Sequence, residues 1–441
     1  MCDNELSSHE DKFLLGESVM VEAKPFPMVR EVPYMGVIWV VYQASLRGFV
    51  NGDPDWCNLG QGQPEVGEMA GDMPRINHID LEPGDHAYGP VGGTLEVREA
   101  IADMINREYR QGKMPYGPEN ISFASGGRLA LTRLYTILAD GCRIAYKNPD
   151  YTAYEDYLYG LRNRCMLLPI YAKAEDAFKI PAEKLAEIIH QERINCFVFS
   201  NPCNPTGEVI QGDVLKGYVE TARRENCLLG CDEFYSHFIY NPDGSPANRP
   251  VSALEFVDDV NKDPVVCFDG LTKSYRYPGW RAGWAVGPAD IIEQINRAAS
   301  AVDGGPSMLT QRATLEAIKP ERVAATTKAL RENFAKKRAV MLSALKEMGI
   351  RTAQDPSGTF YVWACIEDLP EPINDADKFF FACLEKKVMT VPGHFFDVRP
   401  HRVRPAVEPY RHWVRLSYGP NMETLVKGLT RMKEVVDSYR K

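Results

Sequence analysis

Short apolar runs ending in polar residues recur through the middle of this chain, and charged stretches of helical pattern separate them. The runs are "RIAYKNPDY" (143–151), "INCFVFSNPCNPTG" (194–207), "CLLGCDEFY" (227–235) and "PVVCFDGLTKS" (264–274). Between them lie stretches such as "PAEKLAEIIHQER" and "GDVLKGYVETARREN". Strand and helix in series predict an α/β fold, a mostly parallel doubly wound sheet with helices on both faces. In such sheets ligands bind beyond the carboxyl ends of the strands. The polar residues that close each run are therefore the candidate site residues.

After about residue 320 the pattern changes. A long charged helix is expected from Pro320 to Met348, followed by "GTFYVWACI", "KKVMTVPGHFF" and "HWVRLSYGP". Two or three short strands with flanking helices predict a smaller α/β domain. A length of 441 residues suits two domains. The expected division is a large domain over 66–320 and a small one built from both termini, 1–65 and 321–441.

A net charge of −9 argues against nucleic acid or an anionic membrane as the main partner. The longest apolar run, "YMGVIWVVYQA" (34–44), is too short to span a bilayer. Eleven cysteines are scattered without a Cys-x-x-Cys pair, and several sit in apolar runs, which fits buried free thiols rather than disulfides or zinc. The N-terminal "MCDNELSSHEDK" is acidic and lacks the plan of a secretion leader. A cytoplasmic location is expected.

Lys273 follows the buried-strand run "VVCFDGLT". A lysine amine becomes a nucleophile toward aldehydes when burial or neighbouring cations lower its pKa. Alone, Lys273 reads as a lysine at a sheet edge, and its neighbours change that. Asp232 closes another buried run, where a carboxylate needs a cation. Asn204 sits in the tight turn "NPCNPTG", and Tyr235 follows Asp232 by three residues. Arg281 offers a fork of donors suited to phosphate. In "FASGGRLAL" (123–131), Gly126 and Gly127 open a helical run, where backbone N–H groups can cradle an anion; an ordinary strand-to-helix turn reads the same way. Tyr151 closes a strand run, placed either to stack on a ring or to pack in the core.

These motifs together resemble the class I/II aminotransferase family of fold-type I pyridoxal-phosphate enzymes, from about residue 55 to the C-terminus. Asn204, Asp232 and Lys273 stand 28 and 41 residues apart, in the family's order. The resemblance implies pyridoxal 5'-phosphate as cofactor and transfer of an amino group from an α-amino acid to an α-keto acid through a lysine Schiff base. It implies Lys273 as the Schiff-base lysine and Asp232 as partner of the ring nitrogen. Asn204 and Tyr235 would serve the ring oxygen, and Arg281 the phosphate. Arg415 in "HWVRLSYG" would clamp the substrate carboxylate, which Gly62 in "NLGQGQPE" would approach. Tyr88 in "YGPVGGTLEVREAIA" would reach the phosphate of the other subunit, so a homodimer with shared sites is implied.

Two departures stand out. Where the family usually has a phosphate-binding serine, three residues before the lysine, this chain has Gly270, leaving Thr272 to supply a hydroxyl. At Gly127 the phosphate contact would be backbone only, with Arg128 supplying charge. The same cofactor also supports β- or γ-elimination or replacement, cyclisation, decarboxylation and oxidation, which form the alternative reading. A cofactor-binding regulator would need a basic DNA-binding extension, and the acidic first sixty residues offer none. Last, "GHFFDVRPHRVRPAVEPYRHWVR" (393–415) crowds Arg399, Arg402, Arg404 and Arg411 with His394, His401 and His412. It reads as a solvated rim or as a basic lid for a substrate's second anionic group.

Overall fold

The computed structural model describes residues 28–30 and 32–440; the acidic N-terminal stretch discussed above lies outside the described residues. The unit that begins at Met35 holds every element named below. In chain order its strands are β1 (Cys57–Asn58), β2 (Ile121–Ala124), β3 (Arg143–Asn148), β4 (Met166–Tyr171), β5 (Cys196–Ser200), β6 (Leu228–Asp232) and β7 (Val265–Gly270). There follow β8 (Gly283–Val286), β9 (Arg351–Thr352), β10 (Tyr361–Cys365), β11 (Val388–Met389), β12 (Val391–Pro392) and β13 (Trp413–Ser417).

The main sheet has seven strands in the order β2-β8-β7-β6-β5-β3-β4. Only β8 runs antiparallel to its neighbours. The two faces can be read from the side-chain alternation of β5. Phe197 and Phe199 join one apolar core with Leu185, Ile189, Leu215 and Tyr218 of the helices Ala182–Gln191 and Gly212–Glu225. Cys196 and Val198 join the other with Leu131, Leu134, Ile292 and Ile295 of the helices Gly127–Ile137 and Ala289–Val302. Helices thus cover both faces, which is why all five β5 residues are buried and apolar alternation is missing from its sequence.

The long charged stretch forms the helix Pro320–Glu347, with Met348 as its C-cap. Proline at its first position, Glu321 in the first turn and Lys346 in the last suit the helix dipole. A second, antiparallel sheet has the order β12-β13-β10-β9, with Arg415 opposite Trp363 and Val391. β1 pairs in parallel with β11, Cys57 opposite Val388, so the early chain joins the late chain there. The apolar run at 34–44 contributes the helix Val37–Ser45. Among the described residues no helix is long and apolar enough to cross a membrane.

Candidate active site

Three adjacent parallel strands end at one cavity. Ser200, Asp232 and Phe268 stand in register across β5, β6 and β7. The turn after β5 carries Asn204, the end of β6 is Asp232 itself, and the turn after β7 carries Lys273. The cavity, of about 770 Å³, is lined by these three and by Gly62, Gly127, Arg128, Tyr151, Tyr235, Thr272, Arg281 and Arg415. Gly126 does not line it, but a Cβ there would come 2.5 Å from Nη2 of Arg281, which does. Tyr88, the other predicted site residue that does not line it, has a fully exposed side chain in this single chain.

Asp232 is buried, and the Tyr154 hydroxyl donates to its Oδ2 at 3.1 Å. Burial pushes its carboxyl up to about 7; repulsion from Asp150 adds to this, and the Tyr154 bond opposes it. Lys273 is shifted the other way. Burial and the neighbouring Arg415 and Arg281 guanidinium groups bring its ammonium down to about 7, against the attraction of Asp232. A lysine so placed holds a substantial neutral fraction near pH 7, the form that attacks carbonyl carbon. Its Nζ donates to the Gly62 carbonyl.

Arg415 reaches in from β13. Its Nη1 donates to Asn204 Oδ1 at 2.9 Å and its Nη2 to the Gly60 carbonyl at 2.6 Å. Its Nε is buried with no hydrogen-bond partner among the described residues. The guanidinium lies 4.2 Å from the Tyr361 ring centroid, and the Tyr361 hydroxyl sits 2.9 Å from that of Tyr235. With Asn204 Oδ1 accepting from Arg415, the amide's NH2 end is the donor left for a ligand.

The other end of the cavity gathers hydrogen-bond donors. Gly127 opens the helix Gly127–Ile137, so the first N–H groups of that helix lack intrahelical acceptors. Gly126 adopts φ +96°, a backbone that favours glycine. Thr272 Oγ1 is buried with no partner among the described residues. Such a hydroxyl calls for an acceptor, and phosphate is one. Gly270 is required by packing: a Cβ there would strike the Ala282 carbonyl and lie 2.7 Å from Gly283 Cα and 2.9 Å from Phe234 Cε1. A Cβ at Gly127 would strike the same Phe234 ring.

Sequence reading missed Tyr154, Tyr361 and Phe234. The only signal for Phe234 was its place inside "DEFY"; the other two had none. The arginine-rich segment does not form the lid considered above. Arg399 pairs with Asp397 at 2.6 Å, Arg402 with Asp156 at 2.7 Å and Arg404 with Glu155 at 2.7 Å, and none of them lines the cavity. Arg411 faces Asp375 at 3.7 Å. These charges tie the segment to the helix Ala153–Tyr159 and to neighbouring acids, which leaves the rim reading.

Comparison with known proteins gives the family. Residues 54–431 match the family described as aminotransferase class I and II. The chain is 26% identical over 391 residues to the aspartate aminotransferase of Pyrococcus abyssi, covering 87% of this chain and 92% of that one. It is 27% identical over 359 residues to the aspartate/prephenate aminotransferase of Thermus thermophilus, covering 81% and 85%. The solved structure of the Thermus thermophilus aspartate aminotransferase with maleate superposes with a TM-score of 0.74 at 25% identity, over 92% of this chain and 100% of that one. A match that begins before β1 and ends inside the last helix spans all three sheets and all that joins them, so the chain belongs to the class I and II aminotransferase family and is a pyridoxal-phosphate-dependent transferase of amino groups.

Proposed function

We propose that this cavity holds pyridoxal 5'-phosphate and that the enzyme uses it to move an amino group from an α-amino acid to an α-keto acid. The observation that carries this is Lys273: an amine brought down to about 7, in a cavity that also holds a buried carboxyl and a guanidinium whose Nε has no partner among the described residues. When bound, the cofactor supplies an aldehyde that links to amines and a ring that draws electrons from the bond being broken.

The chain's own residues do the rest. Asp232 would hold the ring nitrogen's proton. The Asn204 amide and the Tyr235 hydroxyl would donate to the ring oxygen, and Tyr151 would lie along the ring. Arg281, the Thr272 hydroxyl and the N–H groups at Gly126 and Gly127 would take the phosphate, with Arg128 adding charge. Arg415 would take the substrate α-carboxylate beside Gly62. Lys273 would remove the Cα proton and return it on the far side of the transfer. The relatives from Pyrococcus abyssi, Thermus thermophilus and Bacillus subtilis are aminotransferases, so elimination, decarboxylation and the other cofactor chemistries are not favoured.

Adding an amino acid to the cofactor-loaded enzyme without an acceptor is expected to abolish the visible absorbance that the bound cofactor would give and to yield one keto acid per subunit, read by absorbance and mass spectrometry. Continuous release of ammonia or carbon dioxide in its place would sink the reading.

We also propose a homodimer, with Tyr88 completing the partner's phosphate site. Its full exposure in one chain supports this. Mixing Tyr88→Ala with Lys273→Ala protein should recover about a quarter of wild-type activity through hybrid dimers. No recovery despite proven subunit exchange would refute it. The division into 66–320 and the two termini is the domain arrangement we propose, with the seven-stranded sheet in the first part and the two smaller sheets in the second. Ten described cysteines are free, which suits a reducing compartment and supports a cytoplasmic location.

A further inference from the structure

Residues 60–76 run as irregular chain, yet buried and half-buried side chains grip them along their length. Such a segment would ordinarily lie on the surface, with its backbone satisfied by water. At its start, the Gly60 carbonyl accepts from Arg415 and the Gly62 carbonyl from Lys273. Further along, the Glu65 and Gly67 carbonyls accept from Arg276 Nη1 at 3.1 and 3.0 Å. The Asp72 carboxylate accepts from Arg276 Nη2 at 2.8 Å, and both side chains of that pair are almost wholly buried, 0% and 1% exposed. Thr326 of the long helix donates to the other Asp72 oxygen at 2.7 Å.

Arg276 belongs to the lysine's own turn. Its N–H donates to the Lys273 carbonyl at 3.1 Å, and its backbone is left-handed at φ +61°. That conformation is uncommon for a long side chain and is kept only where the surroundings enforce it. The grip is mutual: Arg75 donates to the carbonyls of Tyr275 and Arg276 at 3.3 and 2.6 Å, lies 3.5 Å above the Tyr277 ring, and is followed by Ile76, whose N–H meets the Tyr277 hydroxyl. Arg276 does not line the cavity, so it touches neither cofactor nor substrate. Apolar residues can often replace a buried ion pair without loss of stability, which turns attention to what this one holds in place.

We propose that Arg276 is a positioning residue: by gripping residues 65–72 it fixes the Gly60 and Gly62 carbonyls, and through them the spacing between the Lys273 amine and the Arg415 guanidinium. This rests on the aminotransferase reading for what those two groups do. One moves a proton at Cα and the other orients the carboxylate on the same carbon, so a displacement of about 1 Å between them costs about a hundredfold in rate.

The test compares wild type, Arg276→Lys and the double variant Arg276→Met with Asp72→Leu, which keeps the core filled. The first readout is reductive methylation of Lys273 by formaldehyde and cyanoborohydride in cofactor-free protein, followed across pH by peptide mass spectrometry. Only the neutral amine reacts, so the wild-type yield rises through a midpoint near 7. In the double variant the loosened segment admits water to the amine, and the midpoint rises by about one unit or more. In the holoenzyme kcat falls about a hundredfold and KM for the amino donor rises. Thermal unfolding stays within a few degrees of wild type. Arg276→Lys keeps the charge but not the fork, and falls between the two on each readout. A folded double variant with wild-type midpoint, kcat and KM would overturn the proposal and make Arg276 a purely structural residue. If the double variant does not fold, the same readouts on Arg276→Lys decide the matter, unchanged values overturning the proposal. A shifted midpoint in a protein that transaminates no amino donor would uphold the clamp and overturn the reaction.

Discussion

Lys273→Ala protein is expected to fold normally and to lose kcat by about 10³–10⁴-fold, because on the proposed reading one side chain would serve as both the covalent anchor and the proton carrier. Stability should stay within about 1 kcal/mol of wild type. The lysine is only half-buried, and Arg415 and Arg281 oppose its charge more than Asp232 supports it. The pyridoxal group should then be held only by the phosphate and ring contacts. Borohydride reduction followed by peptide mapping checks this: wild type carries the reduced group on the Lys273 peptide and the variant carries none. A reducible adduct at wild-type level on any other lysine would move the chemistry to that lysine.

Asp232→Ala should retain the covalent link yet lose about 10²–10³-fold in kcat, the scale of removing one electrostatic partner from a buried site. It should also cost about 1–3 kcal/mol in stability, because the buried Tyr154 hydroxyl loses its acceptor. Asp232→Asn separates the two effects. An amide oxygen can still accept from Tyr154, so stability is kept, but an amide cannot hold the ring's charge and the rate loss remains. Urea unfolding and kcat at saturating donor measure both. Near-normal turnover in either variant would reduce Asp232 to a structural carboxyl.

Residues set by strand ends were legible from sequence because one physical rule governs them. A buried apolar run must stop where the chain leaves the sheet, and the first polar groups beyond it face the cavity; Asn204, Asp232 and Lys273 were found in this way. Arg415 was legible only through its motif, since β13 lies in the other sheet. Tyr154 and Tyr361 were not legible. Tyr154 reaches Asp232 across 78 residues and Tyr361 reaches Tyr235 across 126, and no local pattern records such a meeting. The arginine-rich segment misled for a related reason. Charge density is visible in a sequence, but the acids that neutralise it, Glu155 and Asp156, lie some 250 positions earlier on a helix.

The Phe234 ring lies against both Gly127 and Gly270. This makes the order of events matter in the history of the phosphate cradle. Once a large ring occupies the space that side chains at both positions would need, neither can regain a hydroxyl by one replacement. The route back runs through a smaller residue at 234 first, and at 270 it also needs movement of the β8 backbone near Ala282 and Gly283. An ancestor with hydroxyls at these places could drift into the present arrangement, but single steps lead out of it poorly. On the proposed reading of the site, dependence on Thr272 and on backbone N–H groups would thus be a one-way commitment, entrenched by the Phe234 ring.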